Sequence, residues 1–297
     1  MEATSRDLAG ADSDRIFSRQ CYDVLGYRVA IGVSSVEADA AVRVALCGFG
    51  PIAVTPGPSL PRYDLVATPT NWQVRVDGAV IHTGDDFLSA LRTLESRVVR
   101  AALDRRDDMF QLHGAALCLP TERVGLVLAG DSGCGKTTLA MGLMLRGFIP
   151  FSDDVALVEP ATLELRALRR AFHINDEVWS RLEALGQSAP PPCDGPVGYF
   201  SPPQWAERPV PVRWVLFPQY VPDQPPELTP LAASEAATAI LRHSISLSRA
   251  ARVALGTMAR LIERAGCYRL DVGNLAASVA LVHRLVTSRS LEEPKRE

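Results

Sequence analysis

One stretch limits the choice of fold more than any other. Val124-Gly125-Leu126-Val127-Leu128-Ala129 is a short apolar run. Gly130 to Thr137 is a glycine-rich loop, and Thr138 to Arg146 carries apolar residues at helical spacing before Gly147. An unbroken apolar run of this length predicts a strand buried on both faces, as in parallel sheets covered by helices. Gly147 predicts the C-terminal cap of the helix. Strand, loop and helix in this order predict an α/β fold.

The loop reads Gly130-Asp131-Ser132-Gly133-Cys134-Gly135-Lys136-Thr137, followed by Thr138. This is G-x-x-x-x-G-K-[ST], the pattern whose backbone N–H groups cradle phosphates. Its glycines let the backbone curl so that successive amides point inward at an anion, and the helix that follows presents its positive end. Lysine is rare here: Lys136 and Lys295 are the only two among 31 basic residues. A compact ammonium suits the β- and γ-phosphates where a planar guanidinium is too wide. Thr137 offers a hydroxyl to Mg²⁺, which takes few protein ligands. All of Gly130 to Thr138 are therefore candidate nucleotide-binding residues, with ATP and Mg²⁺ as the expected cofactors.

Bulk charge excludes some partners. The net charge is −3 and the pI about 6.0, which does not favour nucleic acid or an anionic membrane. No apolar stretch reaches the roughly 20 residues of a membrane span. Met1 to Gln20 lacks the apolar core of a signal peptide. A cytoplasmic protein is the expectation. Cys21, Cys47, Cys118, Cys134, Cys193 and Cys267 are scattered without zinc spacing and read as buried small hydrophobes, apart from Cys134 in the loop beside Lys136.

Four segments are expected: a flexible tail over 1–20, a small α+β domain over 21–105, a catalytic domain over 106–287, and a charged tail over 288–297. In the small domain, Tyr27–Val33 alternates like a half-buried strand and Val36–Cys47 reads as a helix. Trp72–Val76, Asp77-Gly78 and Ala79–His82 predict a hairpin. Asp85–Arg105 predicts an amphipathic helix with Phe87, Leu88, Leu91, Leu94 and Val98 on one face, and Asp85 and Asp86 in its first turn. This domain is expected to dock a partner or to cover a sheet edge. In the catalytic domain, strands are expected at Phe110–Cys118, Phe148–Val158, Val212–Phe217 and Cys267–Val272. Helices are expected near 232–247, 249–265 and 275–286. The proline-dense 190–211 segment predicts a long surface loop, of the kind that serves as a lid.

A phosphate loop needs a carboxylate partner to hold the metal or take the proton of an attacking hydroxyl. Asp153 and Asp154 follow Lys136 by seventeen and eighteen residues. A strand ending at Ser152, parallel to Val124–Ala129, would bring both acids to the edge of the sheet that carries the loop. His113 can hydrogen-bond one of them. Arg213, Arg242, Arg249 and Arg252 are further candidates for clamping an anion.

His113-Gly114, the loop itself, Arg146-Gly147 and Asp153-Asp154 together resemble the catalytic domain of the bacterial HPr serine kinase/phosphorylases. Pro211–Pro218 and Cys267–Leu275 look more like the divergent HPr-kinase-like proteins of peptide biosynthesis clusters. Those proteins include kinases of lasso-peptide precursors. The likeness covers roughly residues 109–287. It departs from the family at Thr137-Thr138, where Ser-Glu is common. It implies a P-loop kinase fold related to phosphoenolpyruvate carboxykinase, catalysis by Asp153, Asp154, Lys136 and His113, and Mg²⁺ held by Thr137, Asp153 and Asp154. It also implies a peptide or protein acceptor with a serine hydroxyl, and a homo-oligomer. A nucleotide-binding assembly ATPase without acceptor, and a small-molecule kinase, remain the alternatives.

Overall fold

The computed structural model describes residues 15–57, 59–183, 185, 198–222, 224–245, 247 and 250–288. Expectations for the tail before residue 15, Pro190 to Pro192, Cys193, Pro196, Arg249 and the tail after residue 288 fall outside these residues. The chain divides into two compact units between Arg105 and Arg106. Among the described residues, seven helices and three sheets make a mixed α/β protein. None of those helices is long and apolar enough to cross a membrane.

The first unit contains strands β1 (Ser18–Val24), β2 (Tyr27–Val33), β3 (Pro51–Ile52), β4 (Arg62–Ala67), β5 (Trp72–Val76) and β6 (Ala79–Gly84). They form one sheet in the order β3-β1-β2-β4-β5-β6. Helices α1 (Val36–Ala45) and α2 (Phe87–Leu103) pack against it. Ser18 to Gln20 therefore belong to a strand, not to a flexible tail. The β5–β6 hairpin turns at Asp77 and Gly78, both with positive φ (48° and 87°), as a two-residue type I′ turn requires.

Asp86 is the N-cap of α2 rather than part of its first turn, and its carboxylate accepts from the Leu88 and Ser89 amides. The buried stripe of α2 includes Leu91, Leu94 and Val98 as expected, whereas Phe87 and Leu88 are only half-buried. The alternation read in β2 is absent from its burial: of its seven residues only Arg28 is exposed. The Arg19–Asp64 ion pair (2.8 Å) crosses β2 above Gly32, where a Cβ would collide with the Asp64 carboxylate.

The second unit is built on β7 (Phe110–Leu119), β8 (Val124–Ala129), β9 (Ile149–Ser152), β10 (Val155–Val158) and β11 (Leu165–Arg166). After the ribbon of β12 (Phe172–His173) and β13 (Tyr199–Phe200) come β14 (Val212–Tyr220), β15 (Glu227–Pro230) and β16 (Gly266–Val272). The main sheet runs β11-β10-β7-β8-β14-β16-β15, and β9 also pairs with β7. Strands β8, β14 and β16 are mutually parallel. Its helices are α3 (Lys136–Met144), α4 (Asp176–Glu183), α5 (Ala233–His243), α6 (Ala251–Arg264) and α7 (Leu275–Thr287).

Both faces of this sheet are covered, which explains the unbroken apolar run of β8. Val127 packs with residues of α5 and α6 in one core, while Leu126 and Leu128 pack with α3 and α7 in the other. Helix α3 is buried on nearly all sides, and a Cβ at Gly142 would lie 2.7 Å from Val279 of α7. The chain leaves β8 through α3 toward β9, beyond β7. It leaves β14 through α5 and α6 toward β16, on the other side. Right-handed crossovers in opposite directions place their helices on opposite faces. The gap between the C-terminal ends of β8 and β14 is thus the topological switch point, where open α/β sheets bind ligands.

The described part of the proline-rich segment is more tightly held than a free loop. The Ala206 amide donates to the Pro150 carbonyl and the Leu165 amide to the Val210 carbonyl (both 2.9 Å). Tyr199 and Ala206 are buried.

Candidate functional site

The loop from Gly130 to Thr137 joins the end of β8 to the start of α3. Gly133 and Gly135 have φ of 83° and 91°, which only glycine adopts without strain. Gly130 serves differently: its φ is ordinary, but a Cβ there would lie 2.7 Å from Cys134 Sγ. Gly135 is the N-cap of α3 and offers no side chain to the helix amides. Those N–H groups are left for an anion, which the helix dipole also favours.

Lys136 is 7% exposed. Its ammonium donates to the carbonyls of Gly130 (2.8 Å) and Asp131 (2.7 Å) and lies 3.8 Å from Cys134 Sγ. A buried ammonium is strongly desolvated, and two carbonyl partners leave part of its donor capacity for an anion. Thr137 and Thr138 are half-buried in the first turn of α3, and Ser132 is exposed. Asp131 is paired with Arg242 on α5 (2.7 Å), and its other oxygen lies 3.7 Å from His243 Nδ1. Of the arginines proposed to clamp an anion, Arg242 therefore reaches the loop. Arg213 lies over the Trp214 ring instead, and Arg252 is exposed.

Asp153 and Asp154 sit in a break between β9 and β10, not inside one continuous strand. Both strands run antiparallel to β7, and β7 runs antiparallel to β8. So β9 is parallel to β8 with β7 between them, and their C-terminal ends share one edge. Gly114 of β7 faces Ala129, the last residue of β8, and its amide donates to the Asp154 carbonyl (2.8 Å). A Cβ at Gly114 would collide with the backbone of Leu128 and Ala129. That glycine lets the loop and the acids approach across a single strand.

The two acids, equivalent in the sequence, have opposite environments. Asp153 is 4% exposed, and Arg170 Nε donates to it (3.3 Å). Burial pushes its carboxyl pKa up, against the pull of Arg170, and the Asp154 charge adds to the rise. Asp154 keeps 40% of its side chain exposed and lies 3.3 Å from both His113 Nδ1 and Arg170 Nη2. Burial raises its pKa too, but His113, Arg170 and Lys136 together outweigh that and bring it down to about 2. Of the two, only Asp154 is both exposed and firmly anionic.

Sequence reasoning missed Arg170. It is buried and bridges both acids, yet no spacing rule sets it apart from Arg166 or Arg169. It is aimed by the segment before it, where the Leu168 amide donates to the Phe151 carbonyl (2.9 Å) alongside β9. Ser152 was missed as well. Its buried hydroxyl accepts from the Asp154 and Val155 amides and fixes the turn that carries the acids.

Among the described residues, no group of three or more His, Cys, Asp or Glu could hold a metal ion. A Mg²⁺ ion does not need one. It keeps most of its waters and takes one or two protein oxygens with substrate phosphates. The Thr137 hydroxyl and the exposed, anionic Asp154 carboxylate are of that kind. The uncapped helix start and an ammonium with only two of its three donors on carbonyls suit a phosphate chain in the same way. Cys118 and Cys267 are buried, and burial pushes their thiols up to about 11, as expected of small hydrophobes. No protein-family model matches the chain, and no curated protein matches it either.

Proposed function

We propose that this chain is an ATP- and Mg²⁺-dependent kinase that phosphorylates a serine-type hydroxyl of a peptide or protein, and that its second unit is a P-loop kinase domain of the HPr kinase kind. The observation that carries this reading is Gly114, which has the end of the phosphate-loop strand on one side and Asp154 on the other. A phosphate loop alone argues for binding. A carboxylate one strand away, in the electrostatic field of Lys136, argues for transfer.

ATP would supply the phosphoryl group, and Mg²⁺ would spread the charge on its β- and γ-oxygens. The protein's part is to position and to neutralise. The amides of Gly133 to Lys136 and the α3 dipole would hold the phosphates, and Lys136 would exchange carbonyl partners for phosphate oxygens, which are stronger acceptors. Thr137 and Asp154 would hold the metal. Asp154 also accepts the hydrogen bond of the incoming hydroxyl, and a weak base suffices because the transition state of phosphoryl transfer is loose. Asp153 and Arg170 touch neither reactant. They fix Asp154, and His113 braces it from the β7 side.

The test is transfer of label from γ-labelled ATP to a serine-containing peptide, with the alanine peptide as control. Label is expected on the serine peptide alone, and Asp154→Asn is expected to lower it about 10²- to 10⁴-fold. Transfer that survives Asp154→Asn undiminished would overturn the mechanism.

A further inference from the structure

The loop has two flanks, and the acids occupy only one. On the other flank, at the switch point, lies a cleft of about 690 Å³. Its walls are the start of the loop (Ala129 to Asp131, Cys134), the end of β14 (Phe217 to Tyr220) and one face of α5 (Thr238, Ala239, Arg242, His243). Such a volume is in the range of small-ligand sites. The lining is mainly apolar, and Phe217 stacks on His243 with ring centroids 6.3 Å apart and planes 27° apart.

The strand end supplies polar groups. The last residue of β14 paired with β8 is Leu216, opposite Leu128, so Phe217 is level with the last residue of β8 and Pro218 to Tyr220 run on past it. The Pro218 carbonyl oxygen lies 3.7 Å from where a Gly130 Cβ would stand, so it faces the loop. Proline has no N–H, so at that position the backbone can only accept.

We infer that this cleft is the base subsite of the nucleotide: it takes the flat aromatic heterocycle of a nucleoside triphosphate whose phosphates lie in the loop. This rests on the proposed phosphate-binding role. A triphosphate centred on the loop has its reacting end on the flank of Asp154 and His113. Its nucleoside must then leave by the flank of β14. An aromatic wall stacks a base, and the Pro218 carbonyl accepts from an exocyclic amine. The ion pair of Arg242 and Asp131 stands at the join between base and phosphates, where the guanidinium can turn from a carboxylate to a phosphate.

The experiment compares two probes by calorimetry with Mg²⁺ present: ATP, and inorganic tripolyphosphate, which has the phosphates without the base. The variants are Ala239→Phe, which fills the cleft, and Thr238→Trp, at an exposed cleft position where folding is least at risk. Both are expected to weaken ATP about tenfold or more, the size of one lost base-stacking contact, and to leave tripolyphosphate within about twofold. Wild-type protein that binds tripolyphosphate as tightly as ATP has no base subsite, which overturns this inference and leaves the phosphate loop standing. Variants that lose both probes equally, or neither, overturn it also. So does an acceptor KM that rises while ATP affinity holds, since the cleft is then the acceptor's. Wild-type protein that binds neither probe sinks the phosphate-binding role itself.

Discussion

The glycine-rich loop and the acidic corner lie on either side of Gly114, and they are held by different means. The loop is shaped by its own backbone: two left-handed glycines and a helix start. Its buried charge, Lys136, bonds to carbonyls five and six residues away, and its tie to a distant element is the exposed Asp131–Arg242 ion pair. The corner is turned locally by the Ser152 hydroxyl, but its charges are set by distant groups: Arg170 arrives from beyond β11 and His113 from β7. A site can therefore combine a local part, which sequence spacing defines, with an assembled part, which burial and charge define. The two parts should also fail differently when altered.

The largest contrast is in activity. Lys136→Ala is expected to abolish both tripolyphosphate binding and phosphoryl transfer. Asp154→Asn is expected to keep the binding and to lose transfer by about 10²- to 10⁴-fold, the scale of acid–base and positioning effects. Calorimetry beside a single-turnover assay separates the two. Equal loss of binding in both variants would mean that the corner is part of the phosphate cradle.

In stability the order reverses, because the corner is buried. Arg170→Ala leaves the Asp153 carboxylate without its buried partner and is expected to cost about 3–5 kcal/mol in urea unfolding. The double variant with Asp153→Asn should recover much of that loss. Gly135→Ala forces a left-handed φ on a residue with a Cβ and is expected to cost about 1–2 kcal/mol. An Arg170→Ala cost no larger than that of Gly135→Ala would show that the corner is wetter than its burial implies.

The smallest effect is in the pH dependence, and it has opposite signs for the two acids. Asp154 has a folded pKa below the ordinary 3.8, so its stabilisation is complete above that value and is lost as pH falls toward about 2. Asp153 has a folded pKa above 3.8, so its contribution is complete below that value and is lost as pH rises through the folded pKa. Asp154→Asn should therefore flatten the acid limb of an unfolding-midpoint curve, while Asp153→Asn should flatten a decline at higher pH. Both variants moving the same limb would contradict the opposite environments of the two acids.

Much of the fold was legible wherever a short-range pattern carried it. The run Val124 to Gly147 specified strand, loop and helix, and Asp77-Gly78 specified the hairpin. Periodicity located α2, α5, α6 and α7 to within a few residues. Strands β1 and β4 were not recognised. Gln20, Asp23, Arg62 and Asp64 interrupt their apolar pattern, and Asp64 is tolerated because Arg19 pairs with it across Gly32. The half-buried reading of β2 failed for a related reason. Alternation reports burial only where the outward face carries side chains that reach water, and beyond Arg28 that face of β2 holds Ala30 and the Gly32 covered by the Arg19–Asp64 pair.

The sequence by itself determined the loop, because its geometry depends on φ angles that glycine alone tolerates and on contacts within a few residues. It also brought the pair Asp153-Asp154 to notice through its distance from Lys136. Only the tertiary structure decided that the two acids differ, that Arg170 holds them, and that a cleft opens beside β14. Those properties come from desolvation and from charges brought together across strands that are far apart in the chain. Burial sets the cost of a charge, and a linear sequence does not state which charges will be buried side by side.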